Sequence, residues 1–216
     1  GVTDQFGSGA AHNAQLYVRP SDGRLLYFPH DLDFFFGNPT QGLVKNGVLS
    51  RLLEEPLYKR AFCGHVVDFV QTSYNAEYMA HWGEHAGALL PEQAIASYVG
   101  FLVSRVQHLM VDAGDAVTKL VPEVDFAITT EGGASFTTEG ETATLEGVGW
   151  VDVDAIVQMT GEGETPLELV WTGLTTWQVE LALVAGPNII ALEARDRRGA
   201  AVGQAGCVIT STPGGG

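Results

Sequence analysis

The residue pattern changes character at Pro122, and that break constrains the fold more than any other feature. Upstream, from Val48, apolar residues recur at three- and four-residue spacing, the period of amphipathic helices. Downstream, Thr, Gly, Val and Glu dominate, and short apolar runs alternate with Gly-rich turns. A chain with one period in each half folds as helices followed by strands, and 216 residues suffice for two cores. We therefore read an α+β chain of two domains, 1–122 and 123–216.

Charge narrows the partners. The chain carries 11 Lys and Arg against 26 Asp and Glu, a net charge of −15. Residues 123–216 hold 14 acidic and 3 basic residues, and residues 1–122 hold 12 and 8. Such a surface argues against nucleic-acid or anionic-membrane partners and suits a soluble, exported or salt-exposed protein. No run of about 18 apolar residues is present, so no membrane span is expected. The chain opens on Gly1 with no Met and no signal peptide, which we read as a trimmed boundary. Cys63 and Cys207 match neither a zinc spacing nor a disulfide framework. Two buried free thiols are expected, with a bridge between the halves as the alternative.

Residues 14–18 and 25–29 flank Pro20-Ser21-Asp22-Gly23, which is the chemistry of a tight β-hairpin turn. Helices follow: one from Val48, one opened by Pro56, one over 76–90 and one from Pro91 to Met110. Leu57, Ala61, His65, Asp68 and Phe69 share a face of the second; Ile95, Tyr98, Val99, Leu102, Val106 and Leu109 form a broad stripe on the fourth. Segments 124–129, 142–146, 151–159, 167–171, 177–184, 188–194 and 206–211 read as strands. Their short, regular spacing points to an all-β, Ig-like or related sandwich. The Pro213-Gly214-Gly215-Gly216 tail reads as the start of a linker.

The sharpest chemical feature is Asp31-Leu32-Asp33. In an extended segment carboxylates at i and i+2 point the same way, about 6–7 Å apart. Two like charges so held call for a cation, and oxygen ligands suit Mg²⁺ or Mn²⁺. Tyr27-Phe28-Pro29 precede the pair and Phe34-Phe35-Phe36 follow it, a setting costly for unpaired carboxylates. The bland alternative is that one Asp caps the next turn and the other is exposed. Upstream stand Asp4 and His12-Asn13. An Asp, then an Asn, then a strand pair ending in another Asp is the order of kinase catalytic centres.

Other motifs read as structural. His81-Trp82-Gly83-Glu84-His85 matches the inverted zinc-peptidase pattern, but Gly83 weakens the helix and no downstream Glu ligand is identifiable. Asp152-Val153-Asp154 fits the solvent face of a strand better than a calcium site. His65 and His108 read as core histidines. Trp150, Trp171 and Trp177 read as core rather than carbohydrate platforms. Gly7-Ser8-Gly9 is an incomplete phosphate loop and reads as a turn.

The run HNAQLYVRPSDGRLLYFPHDLDFFFG, residues 12–37, resembles the signature of the CotH kinase family, the spore-coat protein H group of atypical kinases. Tyr98 to Arg105 resembles that family's closing helix, and the resemblance covers about residues 4–112. It implies Asp31 as the metal-binding Asp, Asn13 as a second metal ligand, Asp33 as a neighbouring carboxylate and Asp4 as the catalytic base. His30 stands where the family has Trp. It further implies Mg²⁺ (or Mn²⁺) and ATP as cofactors, a Ser/Thr protein substrate, and a hairpin-plus-helix C-terminal lobe. The lobe that grips the nucleotide would precede Asp4, so the chain is expected to be a fragment, inactive alone.

Leu167 to Gly199 resembles the Ig-like modules appended to secreted bacterial proteins. That implies an extracellular or cell-surface location and a spacer or adhesion role. The alternative function is a catalytically silent surface or matrix module binding surface-matrix proteins. A metal-dependent hydrolase stands third.

Overall fold

The computed structural model describes residues 14–29, 37–44, 47–93 and 95–212. By contacts the chain divides into two units, Gly1–Glu55 with Phe69–Leu120 and Pro56–Asp68 with Val121–Gly216. It mixes helix and sheet, and the second unit is a β-sandwich.

The first unit opens with the expected hairpin, β1 (Ala14–Val18) and β2 (Leu25–Pro29), paired antiparallel from Ala14↔Pro29 to Val18↔Leu25. Its turn closes by two backbone bonds of 2.8 Å, Arg19 N to Arg24 O and Gly23 N to Arg19 O. Gly23 takes φ +71°, which a Cβ would resist. Asp22 accepts from the Arg19 guanidinium and, at 3.2 Å, from Arg24 N. Leu16, Val18 and Leu25 on one face and Tyr17 and Phe28 on the other are all exposed.

Helices α1 (Gly47–Leu52), α2 (Pro56–Thr72), α3 (Ala76–Leu89) and α4 (Ile95–Gln107) follow. Pro56 sits in the first turn of α2, where a missing N–H costs nothing. Asn75 caps α3, accepting from Tyr78 N at 2.9 Å. The fourth helix starts at Ile95 rather than Pro91, because Leu90 to Gln93 close a turn, Gln93 N to Leu90 O at 3.0 Å. Its end widens into a π-helical turn, His108–Asp112, with Ala113 N donating to His108 O. A short α5 (Val117–Leu120) follows. Leu102, Ala116 and Val117 are fully buried.

On α2 the buried face is Arg60, Cys63, Gly64 and Val67. Leu57, Ala61, His65 and Phe69, the stripe expected inside, are exposed. His65 is therefore no core histidine; Arg197 Nη1 lies 2.6 Å from its Nδ1.

The second unit holds nine strands among the described residues: β3 (Ala127–Ile128), β4 (Phe136–Thr138), β5 (Thr142–Val148), β6 (Ala155–Thr160), β7 (Gly163–Pro166), β8 (Val170–Trp171), β9 (Thr176–Ala182), β10 (Gly186–Arg195) and β11 (Ala201–Ser211). One sheet runs β4-β11-β10-β6-β7 and the other β3-β5-β9-β8. All pairs are antiparallel except β11 with β4.

Alternate residues of both sheets, including Leu145, Trp177, Val179 and Leu181 against Ile156, Leu192 and Ile209, form one core. Gly147 and Trp177 are register partners, and a Cβ on Gly147 would overlap the indole. Residues 150–153 close a turn, Val153 N to Trp150 O at 3.2 Å, and β6 begins only at Ala155, so Asp152 and Asp154 do not share a strand face as expected. The expected strand 167–171 keeps only Val170–Trp171, because residues 167–169 carry the chain from β7 in one sheet to β8 in the other.

Arg60 binds within this unit. Its Nη1 donates to Gly149 O (3.1 Å) and Leu174 O (2.9 Å), and its Nη2 to Trp150 O (2.7 Å) and Val153 O (2.8 Å). Burial pulls the guanidinium pKa down to about 9, against the upward pull of Asp152 and Asp154. Cys63 and Cys207 are both buried and free, and burial pushes the Cys63 thiol up to about 11. Among the described residues no helix is long and apolar enough to cross a membrane.

Candidate functional site

Asp4, Asn13, Asp31 and Asp33 lie outside the described residues. What is described is the frame on either side of them in sequence. The hairpin ends on the pair Ala14↔Pro29. Asn13 is the residue before Ala14, and Asp31 comes two residues after Pro29.

Beyond the Asp31–Gly37 segment the chain is tied down. Asn38 Oδ1 accepts from the backbone and hydroxyl of Thr40, both at 2.9 Å, closing a local turn. Arg105, on α4, donates from Nη1 to Pro39 O at 3.1 Å and to Gln41 O. Asp115 Oδ2 accepts from Leu43 N at 2.6 Å and Val44 N at 3.1 Å. Gly42 makes room for this carboxylate, since a Cβ there would stand 3.1 Å from Asp115 Oδ2.

Arg105 is 9% exposed; burial lowers its pKa, and Tyr74 and Asp115 offset the fall. Burial raises the Tyr74 hydroxyl, and the Arg105 charge opposes that rise. A buried cation and a carboxylate thus hold 39–44 through bonds to backbone groups, with Gly42 leaving the space the carboxylate needs.

Arg105 is legible in sequence as the Arg closing an apolar stripe. Asp115 is not, because its partners lie 71 and 72 residues away and nothing local marks it.

The remaining motifs fall within the described residues. His81 and His85 are exposed on α3, their rings 5.5 and 6.0 Å from that of Trp82. Among the described residues no group of three His, Cys, Asp or Glu is placed to hold a metal. Trp177 is 1% exposed and stacks on Phe126 at 5.5 Å. Trp171 lies under the Arg60 guanidinium, and Trp150 donates to Val121 O at 2.9 Å. Glu123, Asp125, Phe126, Trp150 and Asp152 line an acidic groove of about 570 Å³. Burial raises the Asp152 carboxyl there, and Asp154 faces Arg197 at 3.6 Å.

No family model and no curated protein matches this chain. Among solved structures, a crystal structure of the titin M10–obscurin-like 1 Ig complex is similar at 14% identity and a TM-score of 0.30, covering 44% of this chain and 95% of that one. A mutant form of the same complex is similar at 14% identity and a TM-score of 0.28, covering 44% and 94%. The sandwich assignment rests on the strand order and core described above.

Proposed function

We propose that residues 1–122 are the C-terminal part of a CotH-like atypical protein kinase, joined to an Ig-like module at 123–216 in an exported bacterial protein. The observation that carries the reading is the register Ala14↔Pro29, which pairs the residue after Asn13 with the residue two before Asp31 at one hairpin end. The anchoring of 39–44 by Arg105 and Asp115 adds support, since it fixes the chain just beyond the Asp31-Leu32-Asp33 segment.

The proposed donors are an amide oxygen and two carboxylates, hard ligands of the kind Mg²⁺ and Mn²⁺ take. When bound, the metal neutralises charge on the phosphates of ATP. Asn13 and Asp31 hold it, and Asp33 adds a neighbouring carboxylate. Asp4 accepts the proton of a Ser or Thr hydroxyl on the protein substrate and aligns it for attack. Two stacked sheets, antiparallel except for the β11–β4 pair, over one core support the Ig-like reading of the second half, with a spacer or adhesion role.

The test is transfer of labelled γ-phosphate from ATP to a Ser/Thr protein by a longer parent that includes the nucleotide-gripping lobe. Asp31→Ala should abolish transfer with the circular dichroism unchanged; equal transfer by the variant sinks the reading. One observation favours a second reading, the silent surface or matrix module. Arg105 is committed to the Pro39 and Gln41 carbonyls rather than turned toward a phosphate. Absence of Mg²⁺ and nucleotide binding with that lobe present selects it.

A further inference from the structure

We propose that the edge of β9 at Glu180 and Ala182 receives an extended, basic peptide of a partner protein by strand addition. The phase of the β5–β9 ladder sets up the edge. Leu183 N donates to Glu141 O and Gly149 N to Thr175 O, both at 2.8 Å. With the register Thr142↔Ala182 to Val148↔Thr176, the odd-numbered residues of β9 bond toward β5. The even-numbered residues turn their N–H and C=O groups to the opposite edge.

There β8 covers only part of the strand. Val170 pairs with Gln178, and Thr172 N donates to Thr176 O at 2.9 Å. Opposite Glu180 and Ala182 the chain has left the sheet: Leu167 N donates instead to Ile156 O of the other sheet, at 3.1 Å. Among the described strands none pairs with Glu180 or Ala182 on that side. An unpaired edge is a template for another strand.

Beside this edge, on the outer face of the sheet, is a cavity of about 600 Å³, lined by Thr142, Thr144, Leu167, Glu168, Gln178 and Glu180 among others. That volume lies within the range of ligand sites. Glu168 and Glu180 are exposed, are the titratable groups of the lining, and form no ion pair among the described residues. Charge selects the occupant. Two carboxylates at the edge of a chain of net charge −15 repel a second copy and attract Lys or Arg. A strand with a basic residue at every second position presents its cations about 7 Å apart on one face, where the carboxylates stand.

The test is amide hydrogen exchange on the ¹⁵N-labelled full chain with the peptide acetyl-Lys-Val-Lys-Val-Lys-Val-amide at low salt. Saturating peptide should slow exchange at Glu180 and Ala182 about tenfold and leave Leu181, already bonded to β5, unchanged. Glu168→Gln with Glu180→Gln should weaken binding about fivefold with the spectrum otherwise intact. Raising NaCl to about 0.5 M should weaken it likewise. Unchanged exchange at both amides overturns the proposal. So does equal protection by the Glu-Val counterpart of the peptide, or protection of both amides before any peptide is added.

Discussion

The guanidinium of Arg60 lies 3.0 Å from the ring centroid of Trp171, and its N–H groups serve four backbone carbonyls. A cation 5% exposed is tolerated because carbonyl dipoles and a π-face replace its water. Removing it leaves four acceptors without this donor in a site water enters poorly. Arg60→Ala should therefore cost about 3–5 kcal/mol, the scale for breaking a buried charged pairing. Urea unfolding of the full chain, followed by tryptophan fluorescence, measures it; a loss near zero contradicts the assignment.

Gly147 and Trp177 make a second, purely steric pair. An alanine Cβ would overlap both the indole and Ala127 O, and the indole, 1% exposed, is held in the core. Gly147→Ala should cost about 2–3 kcal/mol, at the upper end of overpacking. The same unfolding experiment reads it, and an unchanged midpoint would show that the strand can shift.

The hairpin is legible in sequence because Pro20 to Gly23 combine turn residues with a position that needs positive φ. The central strands are legible because Trp177, Val179 and Leu181 alternate cleanly with polar residues. The buried face of α2 is not, because its centre is a charged residue, Arg60, whose partners are carbonyls 89 to 114 residues away. A hydropathy pattern selects Leu57, Ala61 and Phe69 instead. The short strands β4 (Phe136-Thr137-Thr138) and β7 (Gly163-Glu164-Thr165-Pro166) escape for a related reason, since β4 has one apolar residue and β7 is exposed throughout. Of the candidate site, the motif order is legible and its geometry is outside the described residues.

Asp115 tests the anchor beside that motif. Asp115→Ala removes the acceptor for the Leu43 and Val44 amides and should speed their hydrogen exchange about tenfold, the worth of roughly one hydrogen bond. Exchange unchanged at both amides would show that the loop holds itself.

Acid should act through Asp196. Burial works to raise its carboxyl, but the Ala200 and Arg198 amides and the Arg198 guanidinium outweigh that and hold it below the usual range. The folded chain then binds fewer protons than the unfolded one. The stabilisation is present above the ordinary aspartate pKa of about 3.9 and is lost as pH falls through the lowered value. Asp196→Asn should lower Tm at neutral pH and flatten its decline below about pH 4. Parallel Tm curves for the two proteins would remove Asp196 from the acid response.

The proposed metal site at Asn13 and Asp31 is tested most directly by Mn²⁺ titration of the full chain, followed by electron paramagnetic resonance. The expected result is one bound ion, weakened about tenfold or more by Asp31→Asn and by Asn13→Ala, with the far-ultraviolet circular dichroism unchanged. Equal Mn²⁺ binding by wild type and Asp31→Asn, or no bound Mn²⁺ at millimolar concentration, contradicts it.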